Sequence, residues 1–191
     1  MTRPSDFPDF LYEPVEAVAQ KLLGCVLERD LDDQKVRVRI VETEAYDQDD
    51  EASHAYGGQR GRNATMFNAA GHLYVYLSYG MHYCCNVVTG QPGYGAGVLL
   101  RAVEPLDSFE FLEMRRGVHG VRTTNGPAKL TQALGIDMAF NGHDLHNAPL
   151  RLFAGSLHLG EIIARSPRIG ISRARDVHRR FFIAGNPYVS R

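Results

Sequence analysis

A chain of 191 residues with 44% hydrophobic and 23% charged residues is long enough for one domain with its own core, and its composition is that of an ordinary globular protein. The formal net charge of −1 neither favours nor excludes nucleic acid, no apolar run reaches bilayer-spanning length, and the opening MTRPSDFPDF lacks the apolar centre of an export signal. Three cysteines, two of them adjacent as Cys84-Cys85, argue against a disulfide framework, so a soluble protein in an intracellular, reducing compartment is expected.

In chain order, EPVEAVAQKLLG spaces Val15, Val18, Ala19, Leu22 and Leu23 at helical intervals and stops at Gly24. CVLERDLDDQKVRVRIVETEA then predicts two strands joined around DLDDQ. Alternation in the second puts Val36, Val38, Ile40, Glu42 and Glu44 on one face, so that two glutamates prolong an apolar row. Glu44 either emerges into water at the strand end or lies partly desolvated, where its charged form is disfavoured and it can act as a general base. Spacing alone does not choose between it and Glu42.

EAYDQDDEASHAYGG places Tyr46, His54 and Tyr56 in a loop after Glu44, and rings around a carboxylate can hold a flat, electron-poor ring. In RNATMF, Arg62 and Asn63 either contact a phosphate or cap the next element. HLYVYL and HYCCNVV predict two further strands around SYGM. In one unbroken strand Tyr76 and Tyr79 would face opposite ways, whereas a hairpin with Gly80 in its turn puts Tyr79 at the tip. Such a tyrosine either folds back over the core or stands exposed as a wedge between stacked bases.

VLLRAV predicts a strand whose Arg101 needs a partner, with Glu42, Glu44 and Glu104 as candidates. LDSFEFLEMRRG and NGPAKLTQALG read as helices ending at Gly117 and Gly135, the second with Pro127 in its first turn; LRLFAG, EIIAR and RFFIAG are short strands. HDLH at 143–146 has too few companions for a metal site, and no cofactor is expected. Residues 42–51 carry six acids and no base, whereas 165–180 carry six arginines against one Asp, either a basic face or a solvated surface. Many strands and few helices give one mixed α+β domain over 1–191.

The segments LLGCVL, RIVETEAY, DEASHAYGG, RNATMF, LYVYLSYGMHYCCNV, GVLLRAVEP, NGPAKLTQALGI, RIGISRA and FFIAGNPYVS together resemble the alkyladenine, or 3-methyladenine, DNA glycosylases of the mammalian type, which also occur in bacteria. That resemblance implies a curved, largely antiparallel sheet with surrounding helices and a protruding hairpin that inserts into DNA. It implies base excision repair: a damaged purine such as 3-methyladenine, 7-methylguanine, hypoxanthine or ethenoadenine is flipped from duplex DNA and cut off, leaving an abasic site.

By the same resemblance Glu44 activates the water and Arg101 helps hold it, while Tyr46, His54 and Tyr76 enclose the base. Asn86 opposes the 2-amino group of guanine, and Tyr79 fills the gap left in the duplex. Arg62, Met81, Lys129, Arg173 and Arg175 are expected DNA contacts, the partner is double-stranded DNA, and the chain is expected to act as a monomer. His82 and TGQPGYGAG depart from or vary within the family pattern, and the lack of an animal-type N-terminal extension leans towards a bacterial form acting at the nucleoid. The alternative is a non-catalytic binder of damaged DNA, against which the joint presence of Glu44 and Arg101 speaks.

Overall fold

The strand Gln34–Asp47 (β2) is the spine of the molecule, because its two edges are shared by three others. The computed structural model describes residues 6–190; residues 1–5, part of the opening read above for an export signal, and Arg191 lie outside the described residues. The helix Val15–Lys21 (α1) leads through Gly24 into Val26–Leu31 (β1). A Cβ on Gly24 would lie 2.4 Å from the carbonyl oxygen of Ser156, so this position admits only glycine. The turn from β1 into β2 runs through Asp32 and Asp33, both at positive φ, within the acidic turn that the sequence predicts.

Next come Leu73–Ser78 (β3), His82–Val88 (β4) and Ala96–Pro105 (β5), then the helices Phe109–Arg116 (α2) and Pro127–Leu134 (α3), and finally Leu150–Phe153 (β6), Ile163–Ser166 (β7) and Arg180–Ile183 (β8). The sheet order is β3-β4-β5-β2-β1-β6, with β8 pairing both β2 and β7, and every pair is antiparallel. The fold is therefore mixed α+β on a curved antiparallel sheet, with every sequence-predicted helix and strand present. Among the described residues no helix is long and apolar enough to cross a membrane.

α1 and α3 hold the sheet from the core side. Thr43 Oγ1 donates to the Ala19 carbonyl in α1 at 2.8 Å, and Thr131 Oγ1 in α3 donates to the Tyr83 carbonyl at 2.8 Å. Between them Val18, Leu22, Leu27, Ile40, Leu100, Leu130 and Leu134 are fully buried, and each such side chain contributes roughly 1.5–3 kcal/mol through apolar burial.

The alternation of β2 is broken, which corrects the expectation that Glu42 and Glu44 continue the row of Val36, Val38 and Ile40. The β2–β5 ladder has register irregularities between Ile40 and Glu42 and again between Glu42 and Thr43. An irregularity of this kind re-aims the side chains that follow it. Val41 and Ala45 accordingly join the apolar core and Thr43 reaches α1, while Glu42 and Glu44 bond to Arg101 on β5. The bulge also marks where β2 changes partner, from β1 along Gln34–Arg39 to β8 along Glu42–Glu44.

The hairpin β3–β4 closes at Ser78-Tyr79-Gly80-Met81, where the Met81 amide donates to the Ser78 carbonyl at 3.1 Å. Tyr79 (φ 49°) and Gly80 (φ 70°) both adopt left-handed backbone, the pair of conformations that a tight hairpin turn requires. Of the two alternatives for Tyr79 the exposed one holds: the residue is 85% exposed, with Met81 beside it at 71%.

Candidate active site

Three neighbouring strands make the floor of a cavity of about 1150 Å³. Tyr74, Tyr76 and Ser78 on β3, Cys84 and Asn86 on β4, and Leu99 and Arg101 on β5 all line it. Tyr76 pairs across the ladder with Cys84, and Asn86 pairs with Tyr74 on one side and Leu99 on the other. Glu44 and Tyr46 enter from β2, His54 and Arg62 from the segment between β2 and β3, and Ile169 to Arg173 from the segment after β7. Tyr79 stands at the rim.

Glu44 is fully buried yet faces this space. Its Oε1 accepts from the Ile169 amide at 2.8 Å and lies 3.2 Å from Arg101 Nη1, and its Oε2 accepts from the Tyr46 hydroxyl at 2.8 Å. The buried carboxylate is thus met by three fixed donors. Glu42 is also fully buried, but its oxygens are taken by Arg101 Nε (2.8 Å), Arg180 Nε (2.6 Å), Ser190 Oγ (2.8 Å) and the Ser190 amide (2.6 Å). The choice that spacing left open is thus made by surroundings: Glu44 meets the cavity and Glu42 anchors the arginines. Of the three candidate partners of Arg101, Glu42 and Glu44 bind it, while Glu104 binds Arg39. Burial works against the charge on Arg101, but the two carboxylates outweigh it and raise its pKa.

The ring walls are held as firmly. The Arg168 guanidinium lies 4.6 Å from the Tyr46 ring centroid, and burial, followed by the Glu44 carboxylate, pushes the Tyr46 phenol pKa up. Tyr74 and Tyr76 stack at 5.7 Å, and His54 meets Tyr76 edge-on at 4.5 Å. His54 Nδ1 is 3.0 Å from the Tyr74 hydroxyl, and burial, aided by the Arg62 charge, pulls the His54 pKa down. Asn86 Nδ2 donates to the Tyr74 carbonyl at 3.4 Å. The space suits a flat aromatic group, and Glu44 with Arg101 at its floor can hold a water and take a proton from it.

Nine sequence-predicted residues therefore come together here: Glu44, Tyr46, His54, Arg62, Tyr76, Tyr79, Asn86, Arg101 and Arg173. Met81 and Arg175 are exposed but do not line the cavity, and Lys129 is half-buried, its Nζ donating to Asn125 Oδ1 at 2.7 Å. The choice for RNATMF is resolved by division: Asn63 caps, accepting from the Arg60 amide and donating to the His54 carbonyl, while Arg62 remains exposed at the cavity.

Tyr74 and Cys84 were given no role by the sequence, yet both line the site. Their signal was parity, since Tyr74 lies two residues from Tyr76 and Cys84 two from Asn86. The Ile169 amide carries no side-chain signal at all. The HDLH histidines are engaged locally, His143 with the Leu150 carbonyl and His146 with Asp144, and no His/Cys/Asp/Glu group among the described residues could hold a metal ion.

Residues 9–187 match the family model described as methylpurine-DNA glycosylase. Relatives whose names carry the words 3-methyladenine DNA glycosylase include one from Carboxydothermus hydrogenoformans, 45% identical over 95% of this chain and 96% of its own length. Another, from Methanoculleus marisnigri, is 44% identical over the whole of both chains. With a match of this length, the chain belongs to the methylpurine-DNA glycosylase family.

Proposed function

We propose that this protein is a monofunctional 3-methyladenine DNA glycosylase that flips a damaged purine into the cavity and hydrolyses its N-glycosidic bond. The observation that carries the reading is Glu44: a fully buried carboxylate open to a ring-walled cavity, 3.2 Å from Arg101, with an exposed tyrosine at the rim. The names of the relatives point the same way. Duplex DNA enters at the rim, Tyr79 occupies the vacated stack, and the extruded base lies among Tyr46, Tyr76 and His54.

A water between Glu44 and Arg101 attacks C1′ of the sugar. The C1′–N bond breaks with its electron pair leaving on the base, and the water's proton passes to Glu44. An alkylated purine is already positively charged and leaves readily, so a positioned water and nearby negative charge are sufficient. Hypoxanthine and ethenoadenine, being neutral, need a proton or hydrogen bond on the leaving base as well. The lysines of the chain are Lys21, Lys35 and Lys129, none of which lines the cavity, so no side-chain amine is in place for a Schiff base and strand cleavage.

The test is duplex DNA with one lesion, incubated with wild type and with Glu44→Gln and then heated in alkali to reveal abasic sites. Wild type should give alkali-labile sites and no cleavage before heating, and Glu44→Gln should be slower by roughly a hundredfold or more. Failure of wild type on both 3-methyladenine and hypoxanthine DNA would overturn the activity. Equal rates for the two proteins would remove only Glu44 from its role, and cleavage before alkali would overturn the monofunctional reading.

A further inference from the structure

Below the cavity lies a buried array of four charges, Glu42, Glu44, Arg101 and Arg180, and the residue that joins most of its members carries no charge. Ser190 uses every polar atom it has: its amide donates to Glu42 Oε2 at 2.6 Å, its hydroxyl to Glu42 Oε1 at 2.8 Å, its hydroxyl oxygen accepts from Arg101 Nη2 at 3.2 Å, and its carbonyl accepts from Arg180 Nη2 at 3.1 Å. The chain is bent back to make these bonds. After β8 it turns through Gly185, the Asn186 amide donates to the Ile183 carbonyl, and Asn186 is tied to Glu104 at 3.2 Å. Ser190 itself is buried.

The three nitrogens of Arg101 have three different partners: Nε holds Glu42, Nη1 lies beside Glu44, and Nη2 holds the Ser190 hydroxyl. A planar guanidinium fixed at Nε alone can still rock about its long side chain, and the second bond, at Nη2, sets where Nη1 points. We propose that Ser190 is a positioning residue: through its hydroxyl it aims the Arg101 guanidinium at Glu44, so the segment after β8 sets the rate of the chemical step without touching the substrate. This rests on the glycosylase reading above. It makes the 184–190 segment part of the catalytic apparatus rather than a passive end of the fold.

Ser190→Ala removes the hydroxyl and keeps the amide and carbonyl, and Ser190→Thr restores a hydroxyl. Single-turnover excision is measured with enzyme in saturating excess over lesion DNA, so the plateau rate reports only folded, bound enzyme even if the variant is less stable. Ser190→Ala should lower that rate roughly tenfold, the loss expected for a hydrogen bond to a charged group. Its half-saturating concentration and its ethenoadenine fluorescence change on flipping should stay within about twofold of wild type, and Ser190→Thr should recover most of the rate.

A rate equal to wild type in Ser190→Ala overturns the proposal, as does a loss confined to binding or flipping, or no recovery in Ser190→Thr. Inactivity of wild type in the same assay overturns the glycosylase reading and this inference with it, and so is told apart from failure of Ser190 alone.

Discussion

His54 is kept neutral by where it sits. Its ring meets Tyr74 and Tyr76 edge-on while part of the residue stays exposed, and the desolvation on that side, with the exposed Arg62 charge as the lesser cause, holds its pKa below the ordinary histidine value of about 6.5. Below that value the unfolded chain takes up a proton that the folded ring refuses, so stability falls as pH drops from 6.5 towards the lower folded value. Arg62→Ala should therefore raise the His54 pKa without bringing it to 6.5, because that desolvation remains. A histidine NMR titration at low salt checks this; an unchanged or lower value would remove Arg62 as a cause, and high salt should shrink the difference because Arg62 is exposed. The Tyr74 hydroxyl engages Nδ1 of the same ring, so under the proposed function Nε2 is the nitrogen that would meet a base. Tyr74→Phe should keep the fold, at a cost of about 1 kcal/mol in a urea melt, and lower single-turnover excision several-fold.

The β3–β4 hairpin places a bulky residue in backbone that bulky residues avoid. Tyr79 at φ 49° carries strain of roughly 1 kcal/mol and gains little from its surroundings, being 85% exposed. Strain with so little local compensation is what the wedge role proposed for Tyr79 would account for. Tyr79→Asn should raise the unfolding free energy by about 1 kcal/mol, since Asn accepts left-handed backbone, and should abolish stable flipping of ethenoadenine read by fluorescence. Loss of stability together with unchanged flipping would sink the wedge assignment. This hairpin was legible in the sequence because two strand patterns flank SYGM with Gly80 in the turn, and α3 was legible because Pro127 and Gly135 mark its ends. The bulge at Ile40–Thr43 was not, since alternation reads straight through an inserted residue. Glu44 therefore reaches the cavity even though the alternation argument put it on the wrong side of β2. Tyr74 lay within reach of the same parity rule, whereas the Ile169–Glu44 and Ser190–Glu42 bonds depend on chain return over more than a hundred residues, which no local pattern records.

Across the whole molecule, half of the basic run 165–180 is paired with the acidic run 42–51. Arg168 pairs with Asp50, Arg179 with Asp47 at 3.0 Å and Arg180 with Glu42 at 2.6 Å, while Arg165, Arg173 and Arg175 remain exposed. Half of the basic face expected from the sequence is thus spent inside, closing the segment around β8 onto the end of β2. Only the exposed arginines are free for phosphates, so Arg173→Ala and Arg175→Ala should each lower the slope of log affinity against log salt by about one. The Arg168–Asp50 pair carries the larger stability consequence, because both side chains are almost wholly buried and Arg168 also supports the Tyr46 ring. Burial alone would raise the Asp50 pKa, but the Arg168 guanidinium outweighs it and holds the carboxyl below its usual range. A depressed carboxyl stabilises fully above its unfolded pKa of about 3.9, and that contribution is lost as pH falls through the lower folded value. Asp50→Asn mimics the protonated acid and leaves Arg168 buried without a counter-charge, at a cost on the order of 3 kcal/mol at neutral pH. Urea unfolding of the two proteins should give a constant gap from about pH 5 to 8 that closes only in stronger acid. A gap that closes as pH rises instead, or none at neutral pH, would mean that the pair does not join these two charge runs energetically.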